Sequence, residues 1–176
     1  MQLLIWLLII VTVYFFLVFV VLRLFVPFLG FKQFSMPTEL PPEIRQTITD
    51  LENKSQTPAA YLQAVYDFIM DKNAKQWKHT RFKAATKLPR MFVSDLTEIW
   101  QTQDFLYCTA INYAAFVLLA GSKFFKASDV KTKHVFVNFI IHQYLQVSVD
   151  HTSVDFDPAG TGIRGLGLGH HLSFFG

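Results

Sequence analysis

The sequence holds no second cysteine to pair with Cys108, so no disulfide closes within the chain and the fold rests on packing alone. It is also poor in charge: Asp, Glu, Lys and Arg make up 16% of the residues, and Arg23 is the single charged side chain between residues 1 and 31. No lysine or arginine precedes Arg23 and no A-x-A-like site follows it, so the marks of a cleaved signal peptide are missing. The net charge of +3 is small and interspersed, which argues against nucleic acid as a partner. His151, His170, His171 and Asp155 lack a compact two-plus-two spacing, so no metal is expected, nor any cofactor. No internal repeat is present.

What the sequence does have is a long apolar start. Leu3 to Leu22 runs without a charge, and at about 1.5 Å per residue it spans about 30 Å, the thickness of a bilayer's hydrocarbon core. A single-pass transmembrane helix is expected, with the lipid bilayer as a partner. Arg23 and Lys32 are the only flanking cations and favour a cytoplasmic C-terminal domain. Pro37, Pro41 and Pro42 disfavour regular structure and read as a stiff linker. The chain therefore divides into an anchor (1–31), a linker (32–42) and one domain (43–176). Within that domain Lys72, Lys75, Lys78, Arg81, Lys83, Lys87 and Arg90 follow one another without an intervening acid. A solvated basic face is the first reading and contact with anionic headgroups the second.

Helical spacing dominates the first half of the domain. Ile44, Ile48 and Leu51 mark one amphipathic helix. Leu62, Val65, Tyr66, Ile69 and Met70 mark a second, behind Thr57 as cap and Pro58 in the first turn. Leu96, Ile99 and Trp100 make a short third, with Asp95 and Glu98 as a capping pair. Tyr107 to Ala120 reads as a fourth, ended by Gly121 in a left-handed conformation. After residue 130 the pattern becomes β-branched and alternating. Val135 to Val149 reads as one strand and Val154 to Asp157 as the next, with a turn around Asp150. Five glycines between 160 and 169 read as a flexible loop, able to fold over the cysteine as a lid.

A thiol at a helix N-terminus meets the positive end of the helix dipole and free backbone N–H groups able to hold an oxyanion, and Cys108 is so placed. Alternation puts His142 with Tyr144 and Gln146, on the side away from Leu145 and off the main core. If His142 faces Asp157 across a hairpin, 148 pairs with 151 and their Cβ atoms stand about 4.5–5.5 Å apart. That spacing permits a Cys, His, Asp triad.

In order and context these residues resemble the transglutaminase-like, papain-like cysteine enzyme superfamily. The family's H-A-W-V-E-V-Y strand motif is matched loosely by His142-Gln143-Tyr144-Leu145-Gln146-Val147-Ser148, and its Asp-Pro pair by Asp157-Pro158. Tyr107 stands where the family has a glycine, and Gln146 where it has a glutamate. The resemblance implies an α+β fold with a papain-like/transglutaminase-like core, N-terminal helices preceding an antiparallel sheet. It implies Cys108 as nucleophile, His142 as general base, Asp157 as orienting carboxylate, and Trp100 or Gln103 as oxyanion donor. The expected function is a membrane-anchored thiol enzyme acting on peptide or amide bonds by hydrolysis or acyl transfer. The alternatives are a non-catalytic domain of the same fold that binds a peptide or protein partner, and a plain structural membrane protein.

Overall fold

The computed structural model describes residues 2–30, 32–77, 80–137 and 140–173. The apolar start forms α1 (Gln2–Phe25), of mean hydropathy 3.1, interrupted by a π-helical turn over Leu17–Val21. It is the one described helix long and apolar enough to cross a membrane; a signal sequence passes the same test of length and composition. Its first half stands free of the rest of the protein. Its second half does not, because Val18, together with Val26 and Leu29 just beyond the helix end, is buried against Ile141, with Phe19, Met91 and Phe136 packed around them.

The segment after α1 is less a free spacer than a strap along the core. The Phe28 ring stacks on Tyr113 at 4.1 Å and the Phe34 ring meets Phe116 edge-on at 5.4 Å. Gln33 Oε1 accepts both the backbone N–H and the hydroxyl of Thr132 at 2.7 and 2.9 Å. Pro42 then fills the first position of α2 (Pro42–Lys54), where its missing N–H costs nothing, and Ile44, Ile48 and Leu51 face inward. In α3 (Pro58–Lys72) the Thr57 hydroxyl accepts Ala60 N–H at 3.2 Å, and Tyr61, Leu62, Val65, Tyr66 and Ile69 are buried. A short α4 (Thr80–Thr86) precedes α5 (Leu96–Gln101), whose cap is the expected Asp95, accepting Glu98 N–H at 2.8 Å.

α2, α3 and α5 pack on α6 (Cys108–Ala120), in which every residue from Thr109 to Leu119 is buried. A helix apolar all round has no solvent face and has to sit at the centre of a core. Burying each of Ile111, Phe116, Leu118 and Leu119 contributes about 1.5–3 kcal/mol before conformational entropy is charged. Gly121 ends this helix with φ −81°, right-handed rather than left-handed as its position suggested. Glycine is needed there for space: a Cβ would stand 2.7 Å from Val117 O and 2.9 Å from Ile48 Cδ1.

Three antiparallel strands follow in the order β1 (Val130–Val137), β2 (Ile140–Val149) and β3 (Thr152–Phe156). The single strand expected from Val135 to Val149 is thus two. β1 ends at Val137 and β2 starts at Ile140, residues 138–139 lying outside the described residues, and apolar side chains at both strand ends hid the break. Leu145 faces Thr132 on one side and Phe156 on the other. The β2–β3 turn is the two residues Asp150 and His151, both at positive φ (47° and 65°), as a tight hairpin matching strand twist requires.

The glycine-rich tail also departs from the sequence reading, because its start is the helix α7 (Pro158–Arg164), with Pro158, Ala159 and Gly160 buried. Asp157 caps it and Pro158 opens it. Its glycines fill tight places: a Cβ on Gly160 would lie 2.7 Å from Asp157 Oδ2, and one on Gly162 would lie 2.1 Å from the Trp77 ring. Gly165, at φ 72°, supplies the left-handed cap.

Of the basic stretch, Lys83 and Lys87 pair with Asp104, Arg90 pairs with Glu98 at 2.9 Å, and Lys72 lies 4.6 Å over the Trp100 ring. These four cations are engaged within the protein. Lys78 and the Arg81 side chain lie outside the described residues.

Candidate active site

Cys108 is the first residue of α6, and both residues before it are pinned. Tyr107 donates its hydroxyl to Ala84 O on α4 at 2.6 Å, and Leu106 N–H donates to Gln76 Oε1 at 2.9 Å. No side chain caps the helix, and within its first turn Ala110 N–H turns back to Tyr107 O at 3.1 Å. One turn further on, Asn112 Nδ2 donates to Gln143 O at 2.7 Å in the buried interior. This bond ties the cysteine helix to β2 at the residue next to His142.

The sequence reading put His142 off the core; the structure buries it to 6% exposure. Leu172 and α7, from the tail that was read as loop, cover that side of the sheet and line a cavity with His142. The register differs too. With Val149 facing Thr152 and Leu145 facing Phe156, His142 is not opposite Asp157: continued by one residue, the ladder sets Asp157 beside Tyr144. The offset is two residues, which keeps both side chains on the same side and makes them diagonal neighbours. Asp157 has already left the strand to cap α7, and its carboxylate turns back to meet the ring. His142 Nε2 and Asp157 Oδ2 are 2.8 Å apart.

Asp157 is completely buried. Its Oδ1 accepts Gly160 N–H at 2.9 Å, and its Oδ2 takes Leu172 N–H at 2.9 Å besides the imidazole. One carboxylate therefore holds a helix, a tail and a histidine.

Burial acts to lower the pKa of His142. Hydrogen bonds to Asp157 and to Cys108, with the electrostatic pull of both, overcome that and raise it to about 10. The ring is an imidazolium at neutral pH. Since Nε2 serves Asp157, Nδ1 is the nitrogen left for the sulfur. Through His142 the structure thus brings the three expected residues together, although they come from a helix, a strand and a helix cap. His134, on the other side of the sheet, behaves oppositely: burial, then the charges of Arg23 and His142, lower it to about 4.

The two expected oxyanion donors are placed otherwise. Trp100 is buried in the helical core, its ring stacked on Phe68 at 5.7 Å, and Gln103 is exposed. Sequence reasoning missed Gln76, which is 1% exposed. Its Oε1 holds the loop before Cys108, while its Nε2 has no hydrogen-bond partner among the described residues. A buried amide with one end unsatisfied is costly, and such orphans gather at sites that await a ligand. No signal in the sequence marked Gln76, which lies far from the cysteine along the chain.

Beside His142 opens a cavity of about 460 Å³, within the range of small-molecule sites. The C-terminal tail does act as a cover, though over Tyr144 and Asp157: His171 stacks on Tyr144 at 4.2 Å and bonds Asp155 at 2.7 Å. No family model matches the chain, and neither does a curated protein or a solved structure.

Proposed function

We propose that this chain is a membrane-anchored thiol enzyme of the transglutaminase-like type, which forms an acyl thioester on Cys108 and then hydrolyses or transfers the acyl group. The observation that carries the reading is the 2.8 Å hydrogen bond between His142 Nε2 and a buried, fully engaged Asp157, on an imidazole whose pKa Asp157 and Cys108 both raise. In this reading the sulfur attacks a carbonyl carbon, and an imidazolium stands ready to protonate the leaving group as its bond breaks. Gln76 Nε2 and the backbone N–H groups opening α6 receive the charge that develops on the carbonyl oxygen. Water or an acceptor nucleophile, deprotonated by the neutral imidazole, then releases the acyl group. Helix α1 is the anchor, retained because its second half packs on the domain it carries.

A second reading is favoured by one observation, the low exposure of His142: a domain of the same fold whose cleft holds a peptide or protein partner without turnover. Iodoacetamide alkylation of the full chain in detergent separates the two. For the enzyme, the Cys108 rate drops at least about tenfold in His142→Ala. A rate indifferent to His142→Ala leaves the non-catalytic reading.

A further inference from the structure

We infer that the acyl donor is a phospholipid of the bilayer in which α1 sits, its chain entering the cavity beside His142 from the membrane side. The inference rests on the thiol-enzyme reading and adds its substrate class.

The first observation is the depth of the facing ends of β1 and β2. Phe136 packs its ring 6.1 Å from Phe15 and 5.4 Å from Phe19. The 24 residues of α1 span about 36 Å, against a hydrocarbon layer about 30 Å thick. Phe15 lies about 15 Å from the helix end at Phe25 and Phe19 about 9 Å from it. A helix set across the bilayer therefore brings Phe136 and its neighbours Val137 and Ile140 to the level of the hydrocarbon.

The second observation is where the domain leaves apolar surface bare. Among the described residues, the exposed large hydrophobic side chains outside α1 are Phe82, Leu88, Phe92, Ile140 and Ile163. Ile140 and Ile163 line the cavity, and Leu88 and Phe92 stand on either side of Met91, which packs on the second half of α1. Exposed apolar side chains at the cavity and beside a membrane-spanning helix suit a membrane contact.

The third is the lining itself. Val137, Ile140, Ile163 and Leu172 make the cavity mostly apolar, His142 stands at its inner end, and Arg164 sets a positive charge at its rim. An acyl chain needs no hydrogen-bond partners from such a lining, and the guanidinium suits a headgroup phosphate.

The chemistry balances. The sulfur forms a bond to the ester carbonyl carbon, the carbon–oxygen ester bond breaks, and the departing alkoxide takes the imidazolium proton to leave as a lysolipid. Water then adds to the thioester, giving its proton to His142, and the carbon–sulfur bond breaks to return thiolate and fatty acid.

The test uses the full chain reconstituted in phosphatidylcholine vesicles. Acid-quenched protein is weighed for an acyl adduct on Cys108, and turnover is compared between vesicle lipid and nitrophenyl esters from acetate to palmitate. The expected result is a hydroxylamine-labile adduct carrying the vesicle's acyl mass, absent in Cys108→Ser, with long chains favoured over acetate. Ile163→Asp and, independently, Ile140→Asp lower that long-to-short ratio at least about tenfold; both sites are exposed, so the fold tolerates the change. Acylation by acetate ester or peptide amides while vesicle lipid stays inert overturns the lipid assignment and leaves the thiol enzyme standing. No acylation of Cys108 from any donor overturns both.

Discussion

Replacing Asp157 by asparagine removes one charge and almost no volume, and its consequences follow from the contacts of the carboxylate. Asparagine keeps one acceptor oxygen, which continues to serve Gly160 N–H; its amide nitrogen then faces His142 Nε2 and the N–H of Leu172, where Oδ2 accepted both. The imidazolium loses its counter-charge in a site 6% exposed, and the tail loses an acceptor. In the native protein the His142 pKa stands at about 10 against an ordinary 6.5. A raised pKa contributes stability that is present in full below about pH 6.5 and fades as the pH climbs through about 10. That gap, at about 1.4 kcal/mol per pH unit, sets a ceiling on the order of 5 kcal/mol, comparable to the 3–5 kcal/mol lost when a buried pair is broken. Urea unfolding of the full chain in detergent, at about pH 6 and about pH 10, reads both quantities. The difference in stability between native protein and Asp157→Asn is expected to be several kcal/mol at the lower pH and to shrink at the higher. A difference that is equal at both would refute a charged His142 as the linked group.

Four further outcomes are expected. Gly160→Ala drives a Cβ to within 2.7 Å of Asp157 Oδ2 and should cost about 1–3 kcal/mol in unfolding measurements, with a fall in the His142 imidazole pKa followed by NMR. Gly162→Ala collides with the Trp77 ring and should shift tryptophan emission to the red while lowering Tm. Gln76→Leu strands Leu106 N–H, at about 1–3 kcal/mol, and removes the free amide; thioester formation on Cys108 should slow about 10²–10³-fold, against little change in alkylation by iodoacetamide. Asn112→Leu cuts the tie between α6 and β2; the loss in alkylation rate should approach that of His142→Ala if this bond sets the distance from thiol to imidazole.

The parts of the fold legible in the sequence are those fixed by local rules. Thr57 and Asp95 cap the helices they precede, the inward faces of α2 and α3 follow helical spacing, and the apolar start forms one long helix. The features that escaped depend on contacts between distant residues. Val135 to Val149 is apolar on both sides of its break because Phe136 and Ile141 pack together against Val18 of α1, so composition gave no sign of two strands. The helix α7 was hidden by its glycines, which look like loop residues until the Asp157 carboxylate and the Trp77 ring are found where side chains would be.

The candidate site shows the same division. Strand alternation put His142 and Asp157 on one side of the sheet, and an error of two residues in register left that unchanged because the period is two. The burial of His142 could not be read from β2, since the tail supplies it. Gln76 is held by a loop thirty positions away and carries no motif.

The three-way engagement of Asp157 has a consequence for descendants of this chain. A lineage without the proposed chemistry would still need that residue to hold its last helix and its C-terminal strap, so selection for folding alone would preserve it. Cys108, which among the described residues has no bond to the scaffold beyond the histidine, would drift first. Under the thiol-enzyme reading, a cysteine kept at this position in a relative would tell of retained reactivity, whereas a kept aspartate tells only of an intact architecture.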